Sequence, residues 1–142
     1  MSKFRYRELR SVALGDLLGE GLSRKVYVCK LNSHYVVKIE AGGGSFQNIA
    51  EWDTWSWLST EPAMARWLAP CEFISTCGMM LIQRRVEPIR RGELPKKLPA
   101  FLTDIKLDNF GMLHGKVVCC DYGTIGASVR RAPKRMVKAV WR

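Results

Sequence analysis

Asp104, Asn109 and Asp121 are the residues of this 142-residue chain whose types and spacing could do chemistry. The stretch Leu102-Thr103-Asp104-Ile105-Lys106-Leu107-Asp108-Asn109 sets a carboxylate, an ammonium and an amide at D-x-K-x-x-N, and Asp121-Tyr122-Gly123 follows. Two carboxylates and an amide oxygen are hard oxygen ligands suited to Mg²⁺, an ion that keeps several waters and shares phosphate oxygens. Lys106 beside them would neutralise a transferring phosphoryl group. The competing reading is turn chemistry, because Asp, Asn and Gly are the usual residues of tight turns. Asp108, next to Asn109, is read as pointing elsewhere.

A second set lies nearer the N-terminus. Gly19 and Gly21 flank Glu20, ahead of Val26. Glycines there let backbone N–H groups approach a phosphate, since no Cβ obstructs them. A GxG pair is also common in ordinary hairpin turns. Lys38 sits between Val37 and Ile39, so its neighbours enter the core and its ammonium needs a partner, an unpaired buried charge being costly. Glu51 is the candidate, with Glu40 and Asp53 as rivals.

The elements that must position these residues follow from pattern. Ser23–Leu31 and Ser33–Glu40 alternate or concentrate β-branched and aromatic residues around a turn at Leu31–His34, which predicts two antiparallel strands. Ala41-Gly42-Gly43-Gly44-Ser45 breaks the chain. Ile49, Trp52, Trp55 and Leu58 recur every three residues, which predicts a helix from Ser45 to about Leu58, capped by Ser45 or by Gln47-Asn48. The tryptophans are read as core and interface residues, with Trp55 behind the site. A short helix is expected at Pro62–Leu68, strands on either side of Ser75–Gly78, a linker in the proline-rich stretch after Val86, and a hairpin turning at His114-Gly115-Lys116. That order is α+β rather than α/β.

Composition bounds the rest. Apolar residues are 47% and charged residues 25%, as in ordinary globular domains. The longest apolar runs are far too short to span a bilayer and the first residues lack a signal-peptide core, so a soluble, cytoplasmic protein is expected. Five cysteines, two adjacent and none in CxxC, are no disulfide framework, and His34 and His114 lack zinc-ligand spacing. The net charge of +10 gathers at both termini and in residues 83–97. Such runs suit nucleic acid, an acidic protein or nucleotide phosphates, or else form a solvated basic face.

Taken in chain order, these motifs resemble the protein-kinase signature. Gly19 and Gly21 match the first two glycines of the phosphate-covering loop and Val26 the valine after it. Lys38 matches the strand lysine, Glu51 the helix glutamate, Thr103–Asn109 the catalytic loop and Asp121-Tyr122-Gly123 the D-F-G motif. The resemblance covers about residues 12–126. It implies that ATP and Mg²⁺ are the cofactors, with Lys38 on the α/β-phosphates braced by Glu51, and Gln83, Arg84 and Val86 in a hinge against the adenine. It further implies that Asp104 orients or deprotonates the acceptor hydroxyl, Lys106 steadies the γ-phosphoryl, and Asn109 and Asp121 bind the metal.

The chain departs from that pattern as well. Leu102-Thr103 stands in place of His-Arg, Arg24 in place of a third glycine, and about 17 residues separate Val86 from Asp104. With 19 residues after Gly123 and no A-P-E match, the expectation is one compact domain. It would have an N-lobe (antiparallel sheet with one main helix) at about 12–86, a hinge or linker at 87–99, catalytic and metal loops at 100–126 in place of a full helical C-lobe, and a basic tail at 127–142. The chain resembles compact or atypical kinases, small phage-encoded ones among them, more than a regulated eukaryotic kinase, and if phage-encoded it would act in the host cytoplasm. The expected activity is phosphotransfer to protein Ser/Thr or to the chain itself. The alternatives are a catalytically idle module that binds and inhibits a partner, or nucleic-acid binding through the basic termini. Uncovered apolar surface on a reduced lobe predicts a homodimer.

Overall fold

The computed structural model describes residues 3–42, 44–125 and 135–142, the side chains of residues 3–6 and 9 excepted. Its architecture is α+β, as expected. The chain divides into two compact units, one holding the residues up to Asn48 together with Cys71–Arg85, the other Ile49–Pro70 with Val86–Arg142.

The first unit is built on a five-stranded antiparallel sheet. Helix α1 (Lys3–Ala13) leads into β1 (Leu14–Glu20), β2 (Arg24–Cys29) and β3 (Tyr35–Glu40), and β4 (Cys71–Ile74) and β5 (Met80–Arg84) complete the order β1-β2-β3-β5-β4. The hairpins predicted for β2–β3 and β4–β5 form as read. The expectations contained neither α1 nor β1. The basic N-terminal run is helical, and Ala13 accepts the Lys30 backbone N–H at 2.9 Å where helix passes into strand. As the central strand, β3 is covered on both faces. Val37 and Ile39 pack with Cys29, Leu14, Tyr27, Tyr35, Met80 and Ile82 on one face, leaving Val36, Lys38 and Glu40 on the other.

Helix α2 (Gln47–Leu58) ends where predicted but begins differently. Its N-terminus is capped by Glu40 of β3, whose Oε1 accepts the Asn48 backbone N–H at 2.6 Å and whose Oε2 accepts the Ser45 hydroxyl. A carboxylate at a helix start satisfies an orphan donor and complements the helix dipole. The buried positions of α2 are Asn48, Glu51, Thr54 and Leu58. This corrects the expected apolar face. Ile49 and Trp57 are exposed, and Trp52, Trp55 and Trp67 are only partly covered, so none of these tryptophans is a core residue.

The second unit centres on a hairpin of β7 (Phe110–Leu113) and β8 (Lys116–Cys119), turning through His114 and Gly115 with φ of 51° and 74°. Those values suit a two-residue turn of the primed type, which the twist of a hairpin favours. Glu87 and Met112 exchange backbone hydrogen bonds of 2.8 and 2.7 Å along its outer edge. Helix α3 spans only Pro62–Ala65, shorter than predicted, because the chain turns at Trp67–Ala69 to bond Cys119. The stretch expected as linker holds a 3-10 turn at Arg91–Glu93 and a short strand β6 (Lys97–Pro99). β6 pairs with β9 (Met136–Lys138) of the basic tail.

Candidate active site

In the first unit, the candidate nucleotide residues fall on one line across the sheet. Gly19 is the register partner of Val26, and Val26 that of Lys38. Register partners point to the same face, so Val26 and Lys38 rise together beneath the glycine loop. Val36 shares the Lys38 face and is partnered by Gln83, which brings Gln83 onto it too. Gly21 closes the β1–β2 turn, its N–H donating to the Arg24 carbonyl at 2.9 Å. Among the described residues, a Cβ built on Gly19 would meet no atom within 4 Å beyond its chain neighbours. Packing among the described residues therefore does not demand glycine there.

Lys38 is 4% exposed, and its backbone is held by a buried polar pair. Its carbonyl accepts the Asn48 amide at 3.1 Å, while Asn48 Oδ1 accepts from the Arg24 guanidinium at 3.2 Å. Arg24, expected to stand in for a glycine, is buried and ties β2 to the start of α2. Arg84 is on the other face of the sheet, stacked 5.3 Å over the Tyr35 ring, so its side chain does not join this set. Val86 opens the second unit, at the point where the chain leaves the first.

In the second unit, the D-x-K-x-x-N stretch is an ordered loop ending in a 3-10 turn at Leu107–Asn109. Asn109 Nδ2 donates to both the carbonyl oxygen and Oδ2 of Asp104, each at 3.0 Å. Lys106 Nζ lies 3.4 Å from the same Oδ2. The Asn109 carbonyl accepts the Cys120 N–H at 2.7 Å, which ties the loop to the start of the Asp121 motif. Asp104 and Asp121 line one shallow depression with Leu102, Thr103, Phe110 and Thr124. Asp108 is exposed.

The Asp121-Tyr122-Gly123 segment is anchored from two sides. Glu51 Oε1 accepts the Tyr122 N–H at 2.7 Å, and the Tyr122 hydroxyl donates to the Ala69 carbonyl at 2.7 Å. Both side chains are fully buried, so these bonds fix the backbone beside Asp121 in a setting where unmade bonds are costly. Among the described residues no group of three or more His, Cys, Asp or Glu could hold a metal. Among the described residues, the oxygens that could hold Mg²⁺ are the Asn109 amide oxygen, since the side-chain bonds of Asn109 described above leave from nitrogen, and a carboxylate oxygen of Asp121. An ion that keeps most of its waters needs no more from the protein.

One neighbour was not legible in the sequence. Arg142 Nη2 donates to Asp104 Oδ1 at 2.6 Å. Nothing in a run of basic residues marks one arginine as the partner of an aspartate 38 positions away. Among the described residues, no helix is long and apolar enough to cross a membrane.

No protein-family model matches the chain, and no curated protein matches it. Among solved structures it is similar to the streptomycin–ATP–APH(2")-IIa ternary complex, with 18% identity and a TM-score of 0.44. It is also similar to the gentamicin–APH(2")-IIa complex, with 16% identity and a TM-score of 0.47. Each likeness covers 63% of this chain and 30% of the length of the other.

Proposed function

We propose that this protein is an ATP- and Mg²⁺-dependent phosphotransferase of protein-kinase type, acting on protein Ser/Thr hydroxyls, its own included. The observation that carries the reading is the double hydrogen bond from Asn109 to Asp104. It fixes a carboxylate where an acceptor hydroxyl could be oriented, and leaves an amide oxygen for a metal. Asp121, on the same depression as Asp104, is the second metal ligand in this reading. Lys106 is the cation for the transferring phosphoryl group, and Lys38 that for the α- and β-phosphates. Asn109 and Asp121 would hold Mg²⁺, which would supply positive charge to offset that of the phosphates. Catalysis of this kind is positioning and charge stabilisation, so the protein's task is to hold donors still.

The test is transfer of label from γ-labelled ATP to the chain itself and to a Ser/Thr peptide pool, for wild type and Asp104→Ala. Label transfer that survives the substitution would sink the mechanism. The contact of Arg142 with Asp104 favours a second reading, a catalytically idle module. Thermal unfolding with Mg²⁺ and ATP separates the two, because a bound ligand raises the midpoint by mass action. No shift at millimolar nucleotide supports the idle module.

A further inference from the structure

Asp104 has two carboxylate oxygens, and both are engaged. Oδ2 takes the Asn109 amide and lies beside the Lys106 ammonium. Oδ1 takes Arg142 at 2.6 Å. An acceptor hydroxyl oriented by this carboxylate needs one of those oxygens. Asn109 also holds the Asp104 carbonyl and so belongs to the frame of the loop. The Arg142 side chain, by contrast, bonds the loop only at the Asp104 carboxylate among the described contacts, and it is 63% exposed.

The segment that carries Arg142 is itself tethered. β9 pairs with β6 through Lys97–Lys138, Leu98–Val137 and Pro99–Met136. The Ala139 N–H donates to Lys96 at 2.9 Å, the Trp141 indole N–H to Pro95 at 3.0 Å, and the Arg142 N–H to Ile105 at 3.2 Å. The Trp141 ring meets Phe110 edge-on, with centroids 4.8 Å apart. These contacts deliver the guanidinium to Asp104 at a set register. The segment's strand pairing is modest, a three-residue ladder with two lysines directly opposite each other, which weakens a strand pair, and its ion pair is partly exposed. A strap of this kind is placed firmly enough to cover a group and weakly enough to leave it.

We propose that Met136–Arg142 is an acceptor gate acting in cis: with the strap seated, Arg142 holds the Asp104 oxygen that an acceptor needs, and transfer requires the strap to lift. The gate rests on the phosphotransfer reading and leaves nucleotide affinity alone, since the strap's described contacts, to Asp104, Ile105, Phe110 and the β6 segment, include none to Lys38, Gly19 or Gly21.

Two measurements on the full chain test it, ATP turnover and carbodiimide labelling of carboxylates read by mass spectrometry, for wild type, Arg142→Ala and Trp141→Ala. Removing an exposed ion pair shifts such an equilibrium by about two- to fivefold. The expectation is therefore a rise of that size in kcat with KM for ATP unchanged, and a matching rise in Asp104 labelling, while exposed Asp16 and Asp53 label as before. Trp141→Ala, which loosens the strap without touching Asp104, moves both readouts the same way. A fall in kcat for Arg142→Ala overturns the gate, because Arg142 would then serve the transfer. Turnover with unchanged Asp104 labelling removes the gate alone. No turnover from any of the three proteins removes the phosphotransfer reading and the gate with it.

Discussion

Asn109 reaches back over the 3-10 turn to hold Asp104 twice, with Nδ2 3.0 Å from the carbonyl oxygen and 3.0 Å from Oδ2. One side chain thus sets both the backbone and the carboxylate of its partner. Asn109→Asp would replace the donating amide by a second carboxylate facing the first, converting attraction to repulsion. The expected result is loss of phosphotransfer by about two orders of magnitude or more, the scale seen when a positioned polar group is removed from a transfer site. Asn109→Ala should cost similarly in rate. Amide exchange should distinguish the two, since repulsion in the Asp variant opens residues 104–109 further than a missing bond does.

Gly111 is a separate constraint on the same hairpin. A Cβ there would collide with the Val86 side chain and approach the Glu87 carbonyl oxygen at 2.7 Å. That carbonyl accepts the Met112 N–H, so the neighbouring backbone cannot retreat without breaking the bridge. Gly111→Ala should destabilise the protein by about 1–3 kcal/mol, the usual cost of overpacking. Urea unfolding measures it, and an unchanged midpoint would mean that Val86 repacks freely.

Glu51 shows why part of the site was legible in the sequence and part was not. The strand pairs, the end of α2 and the hairpin around His114-Gly115 follow from local chemistry: β-branched alternation, a three-residue helical recurrence and a turn glycine. The buried face of α2 does not. Hydropathy pointed to Ile49, Trp52 and Trp55, whereas Asn48, Glu51 and Thr54 are buried. Asn48 is held by Arg24 and the Lys38 carbonyl, and Glu51 by the Tyr122 N–H. Bonds to residues far along the chain make polar burial tolerable, and no window of sequence contains them. The Asp104, Asn109 and Asp121 motif was legible because loop spacing is local. The seating of Arg142 on Asp104 was not, because a strand pair closes it.

The Glu51 bond gives a third prediction. Glu51→Ala removes the acceptor of a buried N–H and should cost about 1–3 kcal/mol, the penalty of an unsatisfied buried donor. Glu51→Gln keeps a carbonyl oxygen at the same reach and should recover at least half of that loss. Equal destabilisation by both substitutions would show that the charge of Glu51, rather than its bond to Tyr122, holds the motif.

The cysteines supply the pH dependence. All five are free thiols. The Cys77 thiol is pushed down by its hydrogen bond to the Met79 backbone and then by the one to Ser75. Burial, followed by the charge of Cys120, pushes the Cys119 thiol well above the ordinary range. With iodoacetamide near neutral pH, Cys77 should react first and Cys119 last, because the thiolate is the nucleophile. The two groups act oppositely on stability. A folded pKa below the unfolded value favours the folded state at high pH, and that contribution is lost as pH falls through the folded pKa of Cys77. For Cys119 the folded state retains its proton while the unfolded state releases one, so stability falls as pH rises past the ordinary thiol range. Cys77 is exposed and Cys119 buried, so the second effect dominates. The unfolding midpoint should drop above about pH 9, where unfolded thiols ionise, and Cys119→Ala should flatten that drop whatever it does to stability at neutral pH. An alkaline limb identical in wild type and Cys119→Ala would assign it to other groups.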